Sequence, residues 1–82
     1  MQIYVSVLND TSEDYICHVY DLFANAKREV DGSPFVLTPN STGGPFAVNA
    51  GDDGEGVIEY QCEGGPSETN ISVRDGSVEG FR

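Results

Sequence analysis

Between two glycine clusters, the stretch from Asp52 to Gly65 reads DDGEGVIEYQCEGG. Ile58, Tyr60 and Cys62 alternate with Glu59, Gln61 and Glu63, and a period of two with apolar residues on one side marks a half-buried β-strand. The flanking glycines supply the positive-φ backbone of turns that stop the strand at both ends. Such a strand needs a second layer over its apolar side. Ile58, Tyr60 and Cys62 are therefore expected to be shielded together, with Glu59, Gln61 and Glu63 left in water.

The rest of the chain repeats this theme. Gln2 to Leu8 sets Ile3, Val5 and Val7 against Gln2, Tyr4, Ser6 and Leu8. The polar link from Asn9 to Asp14 is rich in residues that bond their own backbone in turns, and it is expected to close a hairpin with a second strand, Tyr15 to Phe23. That strand is apolar on both sides, with Ile16, Tyr20 and Leu22 on one and Tyr15, Val19 and Phe23 on the other. Ala24 to Glu29 is too short for a self-supporting helix and reads as a connection or a short edge strand. Phe35 to Thr38 and Pro45 to Asn49 are short strands with a loop, Pro39 to Gly44, between them. Prolines at strand starts suit sheet edges. After the loop Gly64 to Glu68, Thr69 to Arg74 is a strand with Ile71 and Val73 inward. Asp75-Gly76 is the strongest two-residue hairpin signal, and would set Val73 opposite Val78 and Ile71 opposite Gly80. Six or seven short strands with little helix predict an all-β domain, a small two-sheet antiparallel sandwich or a small barrel, spanning residues 1–82. A core of that size is marginal, so a covalent staple or a partner chain is expected.

Cys17 lies on the second strand and Cys62 on the Asp52–Gly65 strand. A bridge between them would remove about 4 kcal/mol of chain entropy from the unfolded state. Two buried free thiols acting as small apolar fillers are the other reading, and the strand register decides whether the side chains meet. An early Cys, a late Cys and Tyr60 two residues before Cys62 resemble the immunoglobulin-like sandwich, although no tryptophan is present. The resemblance implies only an immunoglobulin-like architecture.

Fourteen acidic residues against four basic ones give a formal charge of −10. Such a surface repels phosphate backbones and anionic lipid, so direct nucleic-acid or membrane-surface binding is not expected. No leader segment is visible after Met1, and no apolar run reaches membrane-spanning length. The chain reads as cytosolic as written or as a mature form whose leader was replaced, and the sequence leaves both open.

An enzyme is not expected. The one histidine, His18, is adjacent to Cys17 on the same strand, and neighbouring strand residues point to opposite faces. Asp52, Asp53 and Glu55 in the glycine-rich loop are candidate oxygen ligands for Ca²⁺, although their spacing does not match an EF-hand. Acceptor sequons occur at Asn9, Asn40 and Asn70, the first two in predicted loops. The candidate binding residues are Tyr4, His18 and Tyr20 on the first two strands, with Asn40, Asp52, Asp53 and Glu55 in loops. The expected function is a non-catalytic binding module for protein or carbohydrate, using a sheet face and the loops Pro39–Gly44, Gly51–Gly56 and Gly64–Ser67. Two other classes stand beside it: an acidic nucleic-acid mimic that inhibits a basic binding protein, and a homo-oligomer built through open strand edges or the tyrosine face of the first hairpin.

Overall fold

The computed structural model describes residues 1–76 and, for the backbone alone, 78–81. Its strands are β1 (Gln2–Asn9), β2 (Tyr15–Asp21), β3 (Arg28–Glu29), β4 (Phe35–Leu37), β5 (Ser41–Asn49), β6 (Glu55–Cys62), β7 (Ser67–Arg74) and β8 (Val78–Phe81). They form two sheets. One has the order β5-β1-β8; the other runs β3-β2-β6-β7, with β4 also pairing to β2. The neighbours are antiparallel except β1 and β8, which run parallel.

The core lies between the sheets. Ile3, Val5, Val7, Phe46 and Val48 face inward from the first; Cys17, Val19, Leu37, Ile58, Tyr60, Cys62 and Val73 face them from the second. Ile58, Tyr60 and Cys62 are buried and Gln61 and Glu63 exposed, as the sequence predicts, but Glu59, expected in water, keeps only 14% of its side chain exposed. Each fully buried aliphatic chain contributes about 1.5–3 kcal/mol by leaving water. β6 joins β2 to β7, so its buried residues sit at the middle of the larger sheet.

Two expected hairpins are instead crossings between sheets. β1 and β2 do not pair; they lie in different sheets with their apolar sides across the core. The link from Asn9 to Asp14 is long enough to step over the gap of about 10 Å between packed sheets. That placement buries both apolar faces, whereas a side-by-side hairpin leaves them seeking cover. The Asp75-Gly76 turn forms, with Gly76 at φ 76°. It does not fold β8 back on β7. The Asp75 carboxylate accepts a bond from Tyr4 N (2.8 Å), and Gly76 N donates to Tyr4 O (2.9 Å). Anchored there, β8 joins β1 with Ser6 opposite Val78, so the predicted pairings of Val73 with Val78 and Ile71 with Gly80 do not occur.

Smaller boundaries also move. β2 ends at Asp21, and Phe23 opens a short 3-10 turn, Phe23–Asn25. β5 begins at Ser41, so four of the six residues of the predicted Pro39–Gly44 loop are strand. Pro45 lies inside that strand, beside the register shift opposite Val5 and Val7, where a missing N–H interrupts no regular ladder. β7 likewise starts two residues early, at Ser67. Asn70, at φ 59°, lies in the irregularity opposite the Ile58–Tyr60 segment of β6.

Cys17 and Cys62 are directly opposed on β2 and β6 and form a disulfide. The bridge therefore joins neighbours within one sheet, whereas the bridge of immunoglobulin domains ties one sheet to the other. The sheets are joined by packing and by two buried polar groups. At one end Asn9 of β1 donates to the carbonyls of Glu13 (2.8 Å), Thr38 (3.0 Å) and Leu37 (3.4 Å), while its Oδ1 accepts from Thr11 N (3.0 Å) and Thr11 Oγ1 (2.7 Å). At the other end the Asp21 carboxylate of β2 pairs with Arg28, through Nε at 3.0 Å and through Nη2, and accepts from Asn49 N of β5 at 3.3 Å.

Candidate functional site

The new sheet assignment separates the residues that the sequence groups together. Tyr4 stands on the outer side of the three-stranded sheet. His18 and Tyr20 stand on the outer side of the five-stranded sheet, and Tyr15 is buried. The expected cluster of aromatics on one hairpin therefore does not form. Asn40 is exposed at φ 52° near the Asn9 end, where its N–H donates to Thr11 O at 3.2 Å. Asp52 and Asp53 form the β5–β6 turn at the opposite end, and Glu55 opens β6. The loops named by the sequence thus divide between the two ends.

In that turn, Asp53 Oδ1 accepts from Glu55 N (3.0 Å), and Glu55 Oε1 pairs with Arg74 Nη2 (2.8 Å). Asp53 is bonded to its own turn and Glu55 is turned toward β7. Among the described residues, no group of three or more carboxylate, imidazole or thiol side chains is arranged to hold a metal ion. Of the sequon asparagines, Asn40 and Asn70 are exposed. Asn9 is the last residue of β1 and fully buried, with its amide engaged on backbone carbonyls, not in a loop as predicted.

The outer face of the five-stranded sheet is the most organised surface. His18 and Tyr20 alternate with the buried Cys17 and Val19, so they share this face, and their rings stack with centroids 6.2 Å apart and planes 6° from parallel. His18 Nδ1 lies 2.7 Å from Glu29 Oε2, and its Nε2 lies 3.7 Å from Glu63 Oε2. The Ser33 hydroxyl donates to the same Glu29 oxygen (2.7 Å). Together the hydroxyl, first, and His18 hold Glu29 below the usual carboxylate range. Lys27 Nζ sits 4.4 Å over the Tyr20 ring and 2.8 Å from Glu59 Oε2. That ion pair lowers the Glu59 carboxyl and raises the Lys27 ammonium from their ordinary values, outweighing the opposing effect of partial burial.

Sequence reasoning missed the apolar part of this face. Ile16 and Val36 are directly opposed on β2 and β4, and both point outward, 46% and 64% exposed. Glu63 joins them, because its N–H donates to Ile16 O at 2.9 Å. A signal existed in Phe35-Val36-Leu37, since three apolar residues in succession on a strand force one outside. On the far side of His18 and Tyr20, an open depression of about 310 Å³ is lined by Glu59, Tyr60, Gln61, Ser67, Glu68 and Thr69. Gln61 and Glu59 are the register partners of His18 and Tyr20, so the apolar pair, the stacked rings and the depression form one continuous surface.

Comparison with protein-family models, with curated proteins and with solved structures finds no match for this chain.

Proposed function

We propose that this chain is a non-catalytic protein-binding module that engages its partner through the outer face of the five-stranded sheet. The observation that carries the reading is the directly opposed, outward-facing pair Ile16 and Val36. Two aliphatic side chains held side by side in water on a regular sheet give a rigid apolar contact, and covering it releases hydration at little conformational cost. The stacked His18 and Tyr20 extend the contact, and the depression beside them accepts a protruding side chain.

Protein is favoured over carbohydrate by the state of the aromatic rings. A sugar platform needs a free ring face, whereas Tyr20 has Lys27 above its ring and Tyr4 stands on the other sheet. A nucleic-acid mimic needs carboxylates ranked along one face. Here the acids are divided between the Asp52–Asp53 turn, the polar Asp10–Asp14 link and the sheet face. The disulfide suits an oxidising compartment, where exported binding modules operate.

Affinity capture with the wild-type chain and with Val36→Glu, run side by side, tests the reading. A protein retained by the first and lost by the second is the expected result. Equal recovery by both, or a ligand found only on a glycan array, removes it.

A further inference from the structure

The chemistry of the partner follows from the charge around the apolar pair. We infer, resting on the proposed binding face, that the partner presents an aliphatic side chain flanked by lysine or arginine. The Glu63 side chain, 64% exposed, is fixed to Ile16 through its own backbone and stands at the rim of the Ile16–Val36 contact. Glu29 and Glu59 lie further along the same face. The basic side chains among the described residues each rest on an acid of this chain: Lys27 on Glu59, Arg28 on Asp21 and Arg74 on Glu55. His18 Nε2 approaches Glu63 at 3.7 Å from one side, and Glu63, 64% exposed, keeps its outward side open to cations from a partner. A partner that covers the apolar pair must therefore bring positive charge or bury a carboxylate whose neighbouring base, His18, is shared with Glu29.

A second copy of this chain fits poorly. A two-fold contact over this face would press together two surfaces that each carry Glu29, Glu59 and Glu63, with a formal charge of −10 on each molecule. A cationic partner gains attraction in the same geometry, and its association is steered by the same field.

The test is selection from a random peptide display library on the wild-type chain at low salt, followed by affinity measurement on the enriched peptides. The expected peptides carry Lys or Arg beside Leu, Ile, Val or an aromatic residue. Val36→Glu should weaken them by about tenfold or more. Glu63→Gln should weaken them by about threefold and flatten the salt dependence. Both side chains are exposed, and melting curves matching wild type would confirm that the variants fold. Peptides that depend on Val36 but lack cations, or that ignore Glu63→Gln, overturn the cationic partner while the binding face stands. Peptides indifferent to Val36→Glu overturn the face itself. Concentration-dependent dimerisation abolished by Val36→Glu would replace the cationic partner with a second copy. A selection that enriches nothing, with a control target succeeding in parallel, overturns both.

Discussion

The two ends of the sandwich are fastened by different chemistry. At one end the neutral amide of Asn9 reaches from the three-stranded sheet to carbonyls of the five-stranded sheet and its approaches. At the other the ionised pair Asp21–Arg28 reaches back, with Asn49 N donating to the carboxylate and Arg28 Nη2 to Ala47 O at 3.4 Å. Asn9 is fully buried and Asp21 nearly so, at 2%, but Arg28 keeps 40% of its side chain in water. A dry neutral knot tolerates no charge. A half-wet ion pair tolerates some loss, because water can take over at the guanidinium. The two ends should therefore respond unequally to an isosteric exchange of charged and neutral side chains.

Swapping amide and carboxylate in opposite directions at the two ends is the most direct way to break that contrast. Asn9→Asp puts an acceptor against three carbonyl oxygens and should cost about 4 kcal/mol or more, close to the whole stability of a small domain. Burial would raise the carboxyl pKa of that variant above its unfolded value. The fold then binds the proton more tightly than the unfolded chain, so stability should recover toward low pH and fall as pH rises, read by urea denaturation across pH 3–7. Removing the disulfide by the double change Cys17→Ala and Cys62→Ala should cost about 4 kcal/mol, through the greater freedom of the unfolded chain. Because that bridge lies within one sheet, the amide shifts of Thr11 and Asn49 in NMR spectra should persist; their loss would mean the bridge also holds an end together. Asp21→Asn should cost about 2 kcal/mol, below the 3–5 kcal/mol of a fully buried pair, because Arg28 remains partly hydrated. A larger cost than Asn9→Asp would reverse the comparison.

The smallest effect belongs to a surface pair, Lys27 half exposed and Glu59 14% exposed, and sets the baseline. Lys27 holds the Glu59 carboxyl below its ordinary value of 4.5. A lowered carboxylate pKa stabilises the fold above the unfolded value, and that contribution is lost as pH falls through the folded one. Glu59→Gln should shift Tm by about 2 °C or less at pH 6, and by less still at pH 3, as followed by circular dichroism.

What the sequence reveals follows its local periodicity. The alternating faces of β1, β6 and the end of β7 are legible because each side chain's burial depends on its immediate neighbours. Which sheet a strand joins is not local. The Asn9–Asp14 link and the Asp75-Gly76 turn have hairpin chemistry, yet the first crosses the core and the second is anchored on β1 by the Asp75 side chain. The buried ends are hidden for the same reason. Asn9 looks like a loop residue until Leu37 and Thr38 are brought to it, and Asp21 looks like a solvated charge until Arg28 and Asn49 close over it. The exposed Ile16–Val36 pair escaped notice because its two halves are twenty residues apart and meet only through β4.

Parallel pairing of β1 with β8 has a consequence for synthesis. β1 precedes both its neighbours in the chain: β5 follows at residues 41–49, but the other edge waits for residues 78–81. Until they emerge, a nascent molecule exposes an unfinished ladder along β1, whose Ile3, Val5 and Val7 belong to the core. A chaperone that shields extended segments would find its target there, and slowing translation should lengthen the interval in which that edge can pair wrongly.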